Sequence, residues 1–263
     1  MSAPYHTIPR LVKGLDSDQV LRNLLLQNHF SRYNKSMNFA SLIYALLAGL
    51  IPSLLWLFFW LREDNLHPEP RGVLALCFIA GCISVIIAIV LEKWTQGFIA
   101  DTNIRYLVWA AIEELLKFGS VAVLVFRSDV LDEPIDVMIY CITVALGFAA
   151  LENALFILTP LHLGEFSASI ITGNLRFMGA TLVHVVSSAI IGFTAGLAFY
   201  RNWISKTFSI LTGILIAIAL HTSFNLAIMY GTATNTLRTF GWVWCAVVIL
   251  IILFEEIKVV HAK

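Results

Sequence analysis

Charge is scarce in this chain of 263 residues. Asp, Glu, Lys and Arg make up only 13%, against 59% hydrophobic residues, and the mean hydropathy is +0.84. Soluble domains carry about a quarter charged residues, so this composition excludes one. The 17 basic and 17 acidic residues cancel, and no block of one sign offers a surface for nucleic acid. Cysteine is sparse too. Cys77, Cys82, Cys141 and Cys245 all lie in apolar runs without CxxC spacing, and read as small core hydrophobes. No internal repeat or soluble domain is visible, and no cleavable leader is expected, since the first long apolar run begins only near Phe39.

What the chain has in abundance is apolar runs of membrane-crossing length. A bilayer core takes roughly 20 apolar residues as helix. Spans are predicted over 39–61, 72–91, 106–126, 137–158, 177–200, 208–230 and a shorter 240–254. The expected fold is all-α, a polytopic membrane helix bundle of about seven transmembrane helices, and Pro52 should kink the first. Residues 1–38 form a polar N-terminal tail with an amphipathic helix from about Asp16, capped by Asp16 or Ser17 and striped by Val20, Leu21, Leu24 and Leu25. Residues 39–263 then make a single transmembrane domain. Between the first two spans lies a stiff polar loop, residues 62–71. The acidic stretch around Asp129, Asp132, Glu133 and Asp136 reads as a solvated turn, and 159–176 as a long loop.

Polar side chains inside the spans are few and therefore informative. Ionisable groups at membrane depth cost a few kcal/mol each and are retained for a reason. Glu113, Glu114 and Lys117 lie in the third span, Glu152 and Asn153 in the fourth, His184 and Ser188 in the fifth, His221 and Asn225 in the sixth. Taken singly, the histidines read as packing residues, and Asn153 and Ser188 as inter-helix glue. Topology joins them. Consecutive spans run antiparallel, and counted from one face Glu113 is seven residues in, Glu152 six, His184 seven and His221 nine. At 1.5 Å per residue all lie roughly 9–14 Å below the same surface. Glu113/Lys117, His184/Ser188 and His221/Asn225 are each i,i+4 pairs on one helix face.

Three carboxylates and two imidazoles in a low-dielectric pocket cannot all be charged, and one carboxylate suits the role of general base. An imidazole and an amide one turn apart suit donation to an oxyanion. Together they describe hydrolysis of a carbonyl compound by activated water. The same Glu/His set could ligate Zn²⁺, although no HExxH helix is present.

The motifs Glu113-Glu-Leu-Leu-Lys117 (EExxK) and Gly147-Phe-Ala-Ala-Leu-Glu-Asn153 (GFAxxEN) are followed by one helix-borne His and a final HxxxN. His67-Pro-Glu-Pro-Arg71 precedes them. In this order they resemble the PrsW family of intramembrane proteases, related to the type II CAAX prenyl endopeptidases and bacteriocin-immunity membrane proteases, over residues 65–226. The resemblance implies a catalytic set of Glu113, Glu114, Glu152, His184, His221 and Asn225, with one of the paired glutamates activating water and His221 and Asn225 stabilising the oxyanion. Where the prenyl endopeptidases carry FxxxH, this chain has Glu152, as PrsW-like sequences do.

The resulting expectation is an intramembrane endopeptidase of the bacterial cell membrane, acting on membrane-anchored protein substrates such as anti-sigma-type regulators. Its mechanism is expected to be glutamate-activated water. The cofactor is left open between none and a single divalent metal such as zinc. The alternatives are an ion or proton transporter using the buried Glu/His layer, or a non-catalytic immunity or scaffold protein. Arg22, Arg32 and Lys35 flank the first span and place the N-terminus, and with it the mouth of the Glu/His layer, on the cytoplasmic side.

Overall fold

In the computed structural model, the described residues are 39–63, 68–126 and 128–260, and they form helices joined by short turns, without a strand among them. The elements are α1 (Phe39–Glu63), α2 (Arg71–Gln96), α3 (Thr102–Leu124), α4 (Pro134–His162), α5 (Phe166–Leu175), a π-helical turn (Arg176–Ala180), α6 (Thr181–Leu197), α7 (Trp203–Met229) and α8 (Ala233–Ile257). The chain is an integral membrane protein. Six long apolar segments can cross a bilayer, the α5–π–α6 unit counting as one. Helix α3, the remaining predicted span, is kept out of that set by its own charges, Arg105, Glu113, Glu114 and Lys117. The amphipathic helix expected in the tail lies outside the described residues.

Helix α4 is the axis of the bundle. Every residue from Pro134 to Ala150 is buried, so this half of the helix is surrounded by protein on all sides. Helices α1, α2 and α6 pack directly on it, and α7 closes against α6 and α3. Close approach is set by glycine. A Cβ on Gly147 would stand 1.9 Å from the carbonyl oxygen of Phe78, and one on Gly81 would stand 2.0 Å from that of Val144. The backbones of α2 and α4 therefore touch, as small residues permit in membrane helices. Leu, Ile, Val, Phe and Trp side chains exposed on α1, α2, α7 and α8 form the outer surface, suited to lipid.

Helix ends follow local chemistry. Asp101 Oδ1 accepts from the Ile104 amide at the start of α3, and Asn202 Oδ1 accepts from Ser205 at the start of α7. Asp136, expected in a solvated turn, is instead buried, and its Oδ2 accepts from the amides of Glu133 (2.7 Å) and Asp132 (2.9 Å). The orphan donors at a helix start need an acceptor, and this carboxylate supplies it. Glu69 of the Pro-Glu-Pro loop is likewise buried and accepts from the Tyr140 hydroxyl, which ties the start of α2 to α4.

Two expectations are corrected. Residues 159–176 are not a loop. Helix α4 runs through Pro160 to His162 and stops at Gly164, whose φ of 83° is the left-handed conformation that ends helices; α5 begins two residues later. The last helix is 25 residues long rather than 15, because the polar Thr and Asn residues preceding Phe240, and Glu255 to Ile257 after Phe254, continue it.

Candidate active site

Four helices bring the polar layer together, as the shared depth predicts. Helix α3 turns Glu113, Glu114 and Lys117 inward, all buried. Helix α6 contributes His184 and Ser188, α7 His221, and the second half of α4 Glu152 and Asn153. The two imidazoles meet edge to face, with ring centroids 4.9 Å apart.

The adjacent glutamates have different surroundings. Glu114 is fully enclosed and saturated. Its Oε1 lies 2.7 Å from Lys117 Nζ and 2.8 Å from His221 Nδ1, and its Oε2 accepts from Ser188 Oγ at 3.3 Å. Lys117 thus pairs three residues back to Glu114, not four back to Glu113 as the sequence spacing suggests. Glu113 points elsewhere. Its Oε2 is buried without a hydrogen-bond partner, 3.7 Å from His221 Nε2 and 3.9 Å from His184 Nδ1. An orphaned buried carboxylate oxygen is costly, since its desolvation goes uncompensated.

Each imidazole is held from behind. His221 offers Nδ1 to Glu114 and keeps Nε2 toward Glu113. His184 meets Glu152 through Nε2 at 2.9 Å and keeps Nδ1 inward, where Lys117 Nζ also reaches it at 3.1 Å. Each backing carboxylate is in turn neutralised, Glu114 by Lys117 and Glu152 by Arg176. This chain of cation, carboxylate and imidazole orients the remaining ring nitrogens toward a common point.

Glu113, His184 and His221 can each direct one ligand atom into a space where all such atoms lie within 4.8 Å of one another. Zinc–ligand bonds of 2.0–2.2 Å in a tetrahedron separate ligand atoms by about 3.4 Å, near the 3.7 and 3.9 Å observed. The donor set, one carboxylate and two imidazoles, suits a catalytic divalent cation with room for water. The residues therefore fit such a metal, provided Lys117 releases His184 Nδ1 when it binds.

Asn225 stands one turn beyond His221, half-buried, and among the described residues its side chain makes no hydrogen bond. It is not part of the linked cluster. Two residues that sequence reasoning passed over are. Arg176 sits in the π-helical turn and reaches Glu152 and Asn153, stacking over the Phe156 ring at 3.8 Å. Nothing in the sequence marked it, because it fell in the stretch read as loop. Glu92, near the end of α2, places its half-buried carboxyl beside that of Glu113. It stands one residue past the predicted end of the second span, and its face of α2 would have been the available clue.

Comparison with known proteins covers the stretch that holds this site. A family model described as PrsW family intramembrane metalloprotease matches residues 69–254, from the Pro-Glu-Pro glutamate into α8. Three similar curated proteins are each named Protease PrsW. The one from Geobacillus kaustophilus (strain HTA426) is 30% identical over 154 residues, 57% of this chain and 65% of that protein. The one from Clostridioides difficile (strain 630) is 25% identical over 191 residues, 70% of this chain and 78% of that protein. The one from Bacillus subtilis (strain 168) is 30% identical over 115 residues, 42% and 52% respectively. The chain thus spans just under two thirds of the Geobacillus relative's length. No solved structure matches.

Proposed function

The chain belongs to the PrsW family of intramembrane proteases, and from that premise we propose that it hydrolyses peptide bonds of membrane-anchored proteins in the bacterial cell membrane, at the centre formed by Glu113, His184 and His221. The observation that carries this reading is the unpartnered Glu113 oxygen facing two imidazoles whose other nitrogens are already held by carboxylates. A site built only for packing would satisfy that oxygen.

Glu113, His184 and His221 hold a divalent metal such as zinc. That metal, when bound, lowers the pKa of its water and polarises the scissile carbonyl. The protein's own groups do the rest. Glu114 and Glu152 fix the tautomer and direction of His221 and His184. Lys117 and Arg176 pair with those two carboxylates and hold them in place. The surrounding apolar walls, Phe148 among them, exclude bulk water and strengthen each electrostatic contact. A second reading keeps the same residues without metal, with Glu113 taking a proton from water directly. The contact of Lys117 with His184 Nδ1 favours it, because a metal at that nitrogen would displace the ammonium.

The test is cleavage of a co-reconstituted single-span substrate by wild type and by Glu113→Gln, with elemental analysis of both proteins. One metal per chain in the wild type, loss of cleavage on chelation and recovery on adding zinc are expected. Full cleavage by Glu113→Gln would remove the protease assignment at this centre. Cleavage indifferent to chelator, by a metal-free protein, would leave the glutamate-only reading.

A further inference from the structure

The π-helical turn has a fastening of its own. Five residues, Arg176 to Ala180, take the wide π conformation between two α-helical segments. The Asn153 side chain grips both ends of it. Its Oδ1 accepts from Arg176 Nε at 2.6 Å, and its Nδ2 donates to Thr181 Oγ1 at 2.8 Å. The extra residue in a π turn changes which way the helix before it faces, and such turns cluster at functional sites. Here it swings Arg176 onto α4. The guanidinium then has one nitrogen on Asn153, another on Glu152 and its plane against Phe156. Glu152 passes this order on, since the Oε2 that meets Arg176 also meets His184 Nε2.

Within the active-centre reading above, we propose that Arg176 is a positioning residue, fastened by Asn153 across the π turn, which fixes His184 through Glu152. The fork geometry matters as well as the charge. Two guanidinium nitrogens contact two acceptors on successive residues of one helix, which a lysine ammonium does not reproduce. Without the clamp, the Glu152 carboxylate rotates freely and the His184 ring no longer holds Nδ1 on the line to Glu113. The Glu-Asn pair of the GFAxxEN motif thereby acquires two tasks, Glu152 backing a histidine and Asn153 stapling the turn.

The experiment compares wild type, Arg176→Gln, Arg176→Lys and Asn153→Ala in detergent and in liposomes, with Glu113→Gln as the inactive control. Thermal melts establish that each variant is folded. In Arg176→Gln, kcat should fall by about 10- to 100-fold with KM unchanged, the range found when a residue behind a ligand is removed. Zinc affinity, read by competition with a chromogenic chelator, should fall over the same range. Arg176→Lys should recover only part of the loss, and Asn153→Ala should lose less than Arg176→Gln. Wild-type kcat and zinc affinity in a folded Arg176→Gln protein would overturn the clamp while leaving the active centre intact. Equal activity in Arg176→Lys and wild type would overturn the fork requirement and with it the proposal. Cleavage by the Glu113→Gln control would instead remove the reading on which the clamp rests.

Discussion

Replacing Glu114 by Gln removes one negative charge from a site in which Lys117, only 1% exposed, has that carboxylate as its sole anionic hydrogen-bond partner among the described residues. Breaking a buried ion pair from one side costs about 3–5 kcal/mol, because the surviving charge stays desolvated. The lower end applies here, since the amide oxygen of Gln still accepts from the ammonium. A domain of 150–250 residues loses about 2–4 °C of Tm per kcal/mol, so a loss of about 3 kcal/mol lowers Tm by about 6–12 °C. The same change at Glu113 has a different outcome. Its Oε2 has no bond to lose, and its carboxyl stands beside that of Glu92, a contact a Gln amide still makes. Glu113→Gln should shift stability by less than about 1 kcal/mol, or raise it.

Melting of the purified, detergent-solubilised proteins, followed by circular dichroism, separates the two. The double variant Glu114→Gln/Lys117→Met serves as an internal check, because replacing both members of a buried pair with groups of similar volume is often neutral. It should regain most of the loss seen in Glu114→Gln. If Glu114→Gln and Glu113→Gln melt together, the assignment of one glutamate to structure and the other to chemistry is wrong.

Other expected outcomes follow from the same contacts. Tyr140→Phe leaves the buried Glu69 carboxyl without its hydroxyl donor and should cost about 1–3 kcal/mol in a thermal melt, while cleavage per folded molecule stays at wild type, because this contact lies toward the opposite end of the bundle from Glu113; a selective loss of kcat would contradict that separation. Gly147→Ala drives a Cβ into the Phe78 carbonyl and should cost about 1–3 kcal/mol or more, read as lower Tm or yield; an unchanged melt would show that α2 and α4 can part freely. The positive charge before α1 predicts a site mouth on the cytoplasmic side, so Ser167→Cys should react with an impermeant thiol reagent only after cells are opened, and Asp132→Cys in intact cells; the reverse pattern inverts the orientation.

The helical fold and the depth of the polar layer were legible in the sequence for a simple reason. Bilayer thickness imposes a length on each span, antiparallel succession imposes alternating faces, and residue counts then become depths. Glu113, Glu152, His184 and His221 follow that rule into one cluster. The polar turns were less legible. Asp136 and Glu69 look like loop charges because their partners, two backbone amides and the Tyr140 hydroxyl, are invisible to composition. Arg176 was hidden by Pro160, Gly164 and Gly173, which read as breakers. Only Gly164 ends a helix, whereas Gly173 lies inside α5, packed against Ile157.

The division of labour between Glu113 and Glu114 marks the limit of reading from spacing. Successive residues on a helix point about 100° apart, as 3.6 residues per turn require. Two adjacent glutamates therefore face different surroundings, here the opposite nitrogens of the His221 ring. Which glutamate takes which role depends on what stands 100° away. Helix α3 is flanked by α6 and α7, and Ser188 and His221 close over Glu114 together with Lys117 of its own helix. Glu113 is turned to the side where the remaining imidazole nitrogens and Glu92 converge. The i,i+3 contact with Glu114 and the i,i+4 position of Glu113 are equally open to Lys117 on an isolated helix. The choice falls to Glu114 because it shares the enclosed face, where an unpaired ammonium or carboxylate would cost most, and that same choice leaves Glu113 free to react.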